Sequence, residues 1–100
     1  MRPGWQEQAV AGTPATLLLE VQDKQGNALQ MDTIRGKFLY PANSRYDLSV
    51  ELHKLKTAYY QAQVTLPKPG RWELVLTLRH GEERHEVIAQ TDVLAAPPPP

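Results

Sequence analysis

The sequence has 100 residues, and its eleven basic and eleven acidic side chains cancel at pH 7. A chain of this length is typical of one domain with a single core. The balanced charge argues against nucleic acid as the main partner, because phosphate binding needs a basic surplus. Cysteine is absent, which excludes disulfides and thiolate chemistry. The chain also lacks an apolar run of about 18 residues, the length that predicts a membrane-spanning helix.

Alternation of apolar and polar side chains predicts six or seven short strands, because successive side chains of a strand point to opposite faces. In chain order these strands span residues 8–11, 15–23, 34–40, 47–53, 59–66, 72–79 and 84–94. Residues 1–7 are interpreted as a polar lead-in and residues 54–57 as a basic turn. Pro41 ends the third strand, because proline has no backbone N–H for a strand ladder.

The strand that follows the Pro69-Gly70 turn is the strongest core signal. Its inward face carries a wide ring and three leucines, namely Trp72, Leu74, Leu76 and Leu78. Evenly spaced, half-buried strands in about 100 residues indicate an all-β fold, an immunoglobulin-like antiparallel β-sandwich of about seven strands. A small barrel is the second architecture considered. We expect one sandwich domain over residues 1–94 and a proline-rich tail over residues 95–100.

Nothing in the sequence indicates an enzyme. Ser44 and Ser49 are the only serines, and neither lies in a nucleophile-elbow pattern. No glycine-rich phosphate loop occurs. The adjacent carboxylates Glu82 and Glu83 lie in a predicted hairpin loop, where such pairs usually keep the tip soluble. We therefore predict a non-catalytic protein.

Two histidines and a methionine are candidate ligands for copper. His80 and His85 flank one predicted hairpin, and with Met31 they supply the imidazole and thioether groups that copper accepts. Metal sites usually need three or more convergent ligands. The simpler interpretation is therefore that these histidines are solvated and that the protein has no cofactor.

Aromatic and basic residues supply the candidates for partner binding. Alternation places Tyr46, Tyr59 and Lys37 outward, where they are available to a partner. The basic residues of this region have two interpretations, either one positive face or, as we favour, solvated turn and strand-face residues: Arg35, Lys37, Lys54 and Lys56.

The order of four segments resembles the soluble domain of the FixH family over roughly residues 16–93. These segments are Gly36-Lys37-Phe38-Leu39-Tyr40-Pro41, Asp47-Leu48-Ser49-Val50-Glu51-Leu52, Tyr60-Gln61-Ala62-Gln63-Val64 and Pro69-Gly70-Arg71-Trp72-Glu73-Leu74. The resemblance implies the periplasmic domain of a bacterial inner-membrane protein, with an N-terminal anchoring helix preceding it in the full-length protein. It also implies a non-enzymatic assembly factor that helps to mature a cbb-type haem–copper cytochrome oxidase alongside a copper-transporting P-type ATPase.

Two other functions remain open on the residues alone. One is a copper-binding sandwich domain that uses the histidines and methionine named above. The other is a generic immunoglobulin-like module of a surface protein that binds protein or glycan. The FixH-like interpretation predicts subunits of a membrane oxidase or of a copper transporter as partners.

Overall fold

Eight strands form two antiparallel sheets in the computed structural model, which describes residues 2–97. In chain order they are β1 (Arg2–Trp5), β2 (Ala15–Glu20), β3 (Thr33–Leu39), β4 (Leu48–Glu51), β5 (His53–Lys56), β6 (Tyr59–Val64), β7 (Gly70–His80) and β8 (Glu83–Val93). Within that range the one helical segment is a single 3-10 turn at Ser44–Tyr46. No helix in the described part of the chain is long and apolar enough to cross a membrane.

The strand orders are β1-β2-β6-β5 in one sheet and β4-β3-β7-β8 in the other. Immunoglobulin-type sandwiches pair their strands in the orders ABED and CFG, which these two sheets reproduce with β4 added beside β3. The predicted immunoglobulin-like sandwich is therefore confirmed, with eight strands in place of about seven.

One edge of the sandwich is a chain segment that changes sheets at Leu52. Before this residue β4 pairs with β3, and after it β5 pairs with β6. Leu52 is buried, and its N–H donates to the carbonyl of Ile34. The prediction of a basic turn over residues 54–57 is wrong, because β5 continues to Lys56. Every side chain of β5 is exposed, so the strand lacks the alternation that sequence analysis detects.

The N-terminal prediction is also wrong. Residues 1–7 were expected to be a lead-in, but β1 pairs with β2 along its whole length. Pro3 and Gly4 disfavour a strand, yet both are tolerated at a sheet edge where one side of the backbone is unpaired. The expected strand at residues 8–11 is reduced to one parallel bridge between Val10 and Leu94.

The core lies between the sheets, and the inward face of β7 is its centre. Trp72 is 0% exposed, and its indole Nε1 donates to the carbonyl of Lys68 at 2.9 Å. Its ring lies 4.6 Å from that of Tyr40, measured between centroids. Gly36 leaves room for its neighbours, since a Cβ there would lie 3.1 Å from Val50 Cγ2. The predicted inward ridge is thus confirmed.

The predicted proline-rich tail is described only in part. Residues 95–97 have no regular secondary structure. Residues 98–100, which complete the predicted tail, lie outside the described part of the chain.

Candidate functional site

The outward side of the β4-β3-β7-β8 sheet, here called the outer face, carries four cations at one end. Thr33 on β3 lies opposite Arg79 on β7, which in turn lies opposite Arg84 on β8. Arg35 and Lys37 follow along β3. Residues directly opposite each other on neighbouring strands share a face, as does every second residue along one strand. The register therefore places these side chains on one surface.

This surface contains two shallow, solvent-open depressions. The first has a volume of about 410 Å³ and is lined by Thr33, Arg35, Thr77, Arg79 and Arg84. The second has a volume of about 530 Å³, shares Arg35, Thr77 and Arg84 with the first, and continues along the sheet to Lys37. The two depressions therefore form one continuous surface rather than an enclosed cleft.

Charge on this end of the outer face is unbalanced. Its carboxylates are Glu51, opposite Arg35, and Glu86, opposite Thr77. Glu86 lies 3.9 Å from Arg84, and this is the one ion pair that the described residues form among these cations. Two carboxylates among four cations leave an excess of two positive charges, a surface suited to an acidic partner.

An apolar pair, Val75 and Ile88, lies on the outer face beside the cations. Val75 and Ile88 are paired across β7 and β8, and Lys37 is paired with Val75 on the other side. Ile88 is 63% exposed, more than any other large apolar side chain in the described part of the chain. An apolar pair beside charged side chains adds contact area once a partner has docked.

The three residues predicted to bind a partner lie in three different places. Lys37 is exposed on the outer face. Tyr46 is half-buried beside Tyr40, with Lys68 Nζ 5.0 Å from the centre of its ring. Tyr59 is half-buried on β6 of the other sheet, with Lys56 Nζ 5.0 Å from its ring. They therefore do not form one surface.

The three candidate copper ligands differ in exposure. His80 and His85 are exposed on the β7–β8 hairpin, where Nε2 of His85 lies 3.6 Å from Oε2 of Glu83. Met31 is half-buried against the core, and its N–H donates to Tyr60 Oη at 3.0 Å. No group of three or more His, Cys, Asp or Glu side chains within residues 2–97 is placed to hold a metal ion. Copper binding stays a prediction, which titration of the wild-type protein and a His80→Ala/His85→Ala variant tests.

Among the described residues one pKa shift is clear, and it lies away from the outer face. The backbone N–H of Asn27 donates to Asp23 Oδ1 at 2.9 Å and holds the pKa of that carboxyl below its usual value. A second N–H, from Gln25, also donates to Oδ1. These bonds tie the turn after β2, so the shift reflects a local turn rather than a reactive group.

Sequence reasoning missed Arg79, Arg84 and Ile88 as members of the site. All three lie on predicted strands, but none was singled out as a binding residue. Their convergence with Lys37 depends on the register between β3, β7 and β8, which alternation does not specify.

A family comparison covers nearly all of this sandwich. The model of the FixH family matches residues 3–91, from β1 to near the end of β8. The chain belongs to the FixH family. FixH is generally a non-catalytic accessory family, associated with membranes and with a periplasmic domain. None of the curated proteins compared with the chain matches it.

Proposed function

We propose that this FixH-family chain is a periplasmic, non-enzymatic binding domain that acts in the assembly of a membrane complex. In the full-length protein an N-terminal helix anchors it to the inner membrane. Its role is to help mature a cbb-type haem–copper cytochrome oxidase together with a copper-transporting P-type ATPase. The family match supports the accessory role, and the sequence resemblance described above is the basis for naming the oxidase as the complex that is assembled.

The observation that carries the proposal is the outer face of the β4-β3-β7-β8 sheet. Arg35, Lys37 and Arg79 have no carboxylate within ion-pair distance among residues 2–97, and they share the outer face with the exposed Ile88. A fixed cationic surface attracts an acidic segment at long range, and a neighbouring apolar group adds contact once the segment has docked. An acidic periplasmic segment of an oxidase or transporter subunit fits this chemistry.

Capture from bacterial membranes tests the proposal. The full-length tagged protein, purified in mild detergent, is expected to retain oxidase or copper-transporter subunits that mass spectrometry identifies. The Arg35→Glu/Lys37→Glu variant is expected to lose them. Both side chains are exposed, and circular dichroism checks that the variant keeps the fold, since Arg35→Glu faces Glu51 across β3 and β4.

A charge-matched control separates the outer face from net charge. Lys54→Glu/Lys56→Glu makes the same change in total charge on β5, in the opposite sheet. This control is expected to retain the captured subunits. Recovery of neither class of subunit, under conditions that preserve a known membrane complex, contradicts the proposal.

A further inference from the structure

The long edge strand β8 has an open side. β8 is the outermost strand of its sheet and pairs with β7 over all eleven residues, Glu83–Val93. On its other side the described chain supplies one partner, the parallel bridge from Val10 to Leu94 just past the strand. Exposed, unpaired strands of this length are templates for pairing with another strand.

Hydrogen bonds elsewhere in the sheet show which residues face this open side. The carbonyl of Ile34 accepts a hydrogen bond from the β4 side, so the backbone groups of Arg35 point to β7. Arg35 lies opposite Thr77, hence odd-numbered residues of β7 bond to β3 and even-numbered residues bond to β8. Leu78, an even-numbered residue, is paired with His85. Odd-numbered residues of β8 therefore bond to β7.

The bridge at Leu94 agrees with this assignment. The N–H of Leu94 donates to the carbonyl of Ala9, and its carbonyl accepts from the N–H of Ala11. Both groups of this even-numbered residue thus point away from β7. By alternation, five residues of β8 present their N–H and C=O groups to the open edge: Arg84, Glu86, Ile88, Gln90 and Asp92.

These five residues are complementary to a second copy of themselves in antiparallel orientation. With Ile88 opposite Ile88 on a two-fold axis, Arg84 lies opposite Asp92 twice and Glu86 lies opposite Gln90 twice. All five are then paired with residues that also point to the edge, which antiparallel hydrogen bonding requires. The register places opposite charges together and the two exposed isoleucines in contact.

Neighbouring registers lack this complementarity. The nearest shift toward the N-terminus, with residue 87 on the axis, pairs Glu86 with Ile88 and Arg84 with Gln90. A shift in the other direction, with residue 89 on the axis, pairs Glu86 with Asp92 and Ile88 with Gln90. Like charges directly opposite each other destabilise a strand pair.

The ends of β8 suit the same register. Pairing needs only residues 84–92, and Asp92 lies opposite Arg84 of the second copy, at the start of that copy's strand. The bridge to Val10 begins at Leu94, beyond the paired region. The chain therefore closes the edge where the self-paired strands end.

We propose that two copies of this chain associate through antiparallel β8–β8 pairing centred on Ile88, forming one continuous eight-stranded sheet. The pairing rests on the edge and its charges, and it holds whether or not the oxidase-assembly function does. One strand pair buries less than the standard interface of about 1,600 Å². We therefore expect a monomer–dimer equilibrium at concentrations on the order of 100 µM, within the range of weak complexes.

Disulfide trapping tests the register directly, since the chain has no cysteine of its own. Residues in a hydrogen-bonded antiparallel pair have Cα atoms about 5.5 Å apart, within the range that a disulfide spans. Ile88→Cys is therefore expected to form a covalent dimer on mild oxidation. Gln90→Cys is the matched control, because residue 90 lies four positions from its own copy, about 13 Å along the strand. Equal trapping of the two variants, or none of either, overturns the proposal.

A charge exchange gives an independent test by sedimentation equilibrium. Arg84→Asp places two aspartates opposite each other in the homodimer, and Asp92→Arg places two arginines opposite each other. Each variant alone is expected to be monomeric. An equimolar mixture restores both ion pairs and is expected to form a heterodimer at least as stable as the wild-type dimer. A mixture that stays monomeric overturns the assigned register.

Wild-type behaviour and a backbone variant complete the test. Ile88→Pro removes an N–H that faces the open edge and not β7, so it blocks the edge while circular dichroism confirms the fold. The wild type is expected to dimerise and this variant to remain monomeric. A wild type that is monomeric up to about 1 mM, well above the expected range, overturns the proposal. Dimerisation of Ile88→Pro equal to that of the wild type also overturns it.

Discussion

The inner and outer faces of the β4-β3-β7-β8 sheet alternate along the same strands, but different forces shape them. On β7 the inner residues Trp72, Leu74 and Leu76 are buried, whereas Arg71 and Arg79 on the outer side are exposed. Packing constrains the volume of every inner side chain. Charge and exposure are the distinguishing properties of the outer side chains, which solvent surrounds.

This difference predicts where substitutions act. Inner-face changes leave cavities or clashes and therefore lower the free energy of unfolding. Outer-face changes away from caps and networks usually alter stability by less than about 0.5 kcal/mol. Their effects belong to association instead, with a partner subunit or a second copy.

Trp72→Ala is expected to cause the largest loss of stability. The substitution removes a ring that is 0% exposed and leaves the carbonyl of Lys68 without its indole donor. We expect the free energy of unfolding to fall by about 3–5 kcal/mol, measured by urea denaturation. Arg71→Ala, next in the chain but exposed, is the control and should change it little. A Trp72→Ala protein as stable as the wild type would mean that the inner and outer faces are assigned the wrong way round.

Gly36→Val is expected to have a smaller effect by overfilling the same face. A Cβ at this position meets Val50 Cγ2 at 3.1 Å and Leu76 Cδ2 at 3.3 Å, and valine adds two further methyl groups. Overpacking of this kind costs about 1–3 kcal/mol. Thr77→Val, a β-branched substitution on the outer face, is the matched control. A stability equal to that of wild type for Gly36→Val would show that the inner layer is loosely packed.

Trp5→Phe tests the one side-chain bond that joins β1 to β8. The indole Nε1 of Trp5 donates to Thr91 Oγ1 at 2.7 Å, while the ring stacks on Phe38. Phenylalanine keeps an aromatic ring but loses the donor, so we expect a loss of about 0.5–1.5 kcal/mol. In a double-mutant cycle with Thr91→Val, the double variant should lose little more than either single one. Fully additive losses would exclude a coupling between the two strands.

The pH dependence of the turn after β2 is expected to be the smallest effect. The pKa of Asp23 is lowered in the folded chain, so its ionised form stabilises the fold above the usual aspartate pKa of 3.8. That contribution is lost as the pH falls below this value and through the lowered folded pKa. Asp23→Asn should reduce the slope of stability against pH below about pH 4, measured by thermal melting. An unchanged slope would show that Asp23 does not contribute.

The two strands that were not predicted, β1 and β5, show which kind of strand the alternation of apolar and polar residues fails to detect. β1 contains Pro3 and Gly4, and all side chains of β5 are exposed, so neither segment carries the half-buried alternation of β2 or β7. Both exist because an established neighbour supplies hydrogen-bonding partners, β2 for β1 and β6 for β5. Such edge strands depend on tertiary pairing more than on their own composition.

The residues of the candidate site were likewise predictable only in part. Lys37 was predicted to be outward, and it lies on the outer face. Its neighbours there, Arg79 and Arg84, come from strands more than thirty residues away, and only the register joins them. Tyr46 and Tyr59 were chosen by the same alternation, yet the fold half-buries both.

The sequence by itself determined the fold class, the buried ridge of Trp72 and the family, because period-two alternation and the order of segments are local properties of the chain. Only the tertiary structure decided which strands lie at the edges and which outward side chains converge. It also showed that β8 keeps an open side. These features depend on pairing between distant segments, and pairing is set by the free energy of the assembled sheets rather than by any one segment.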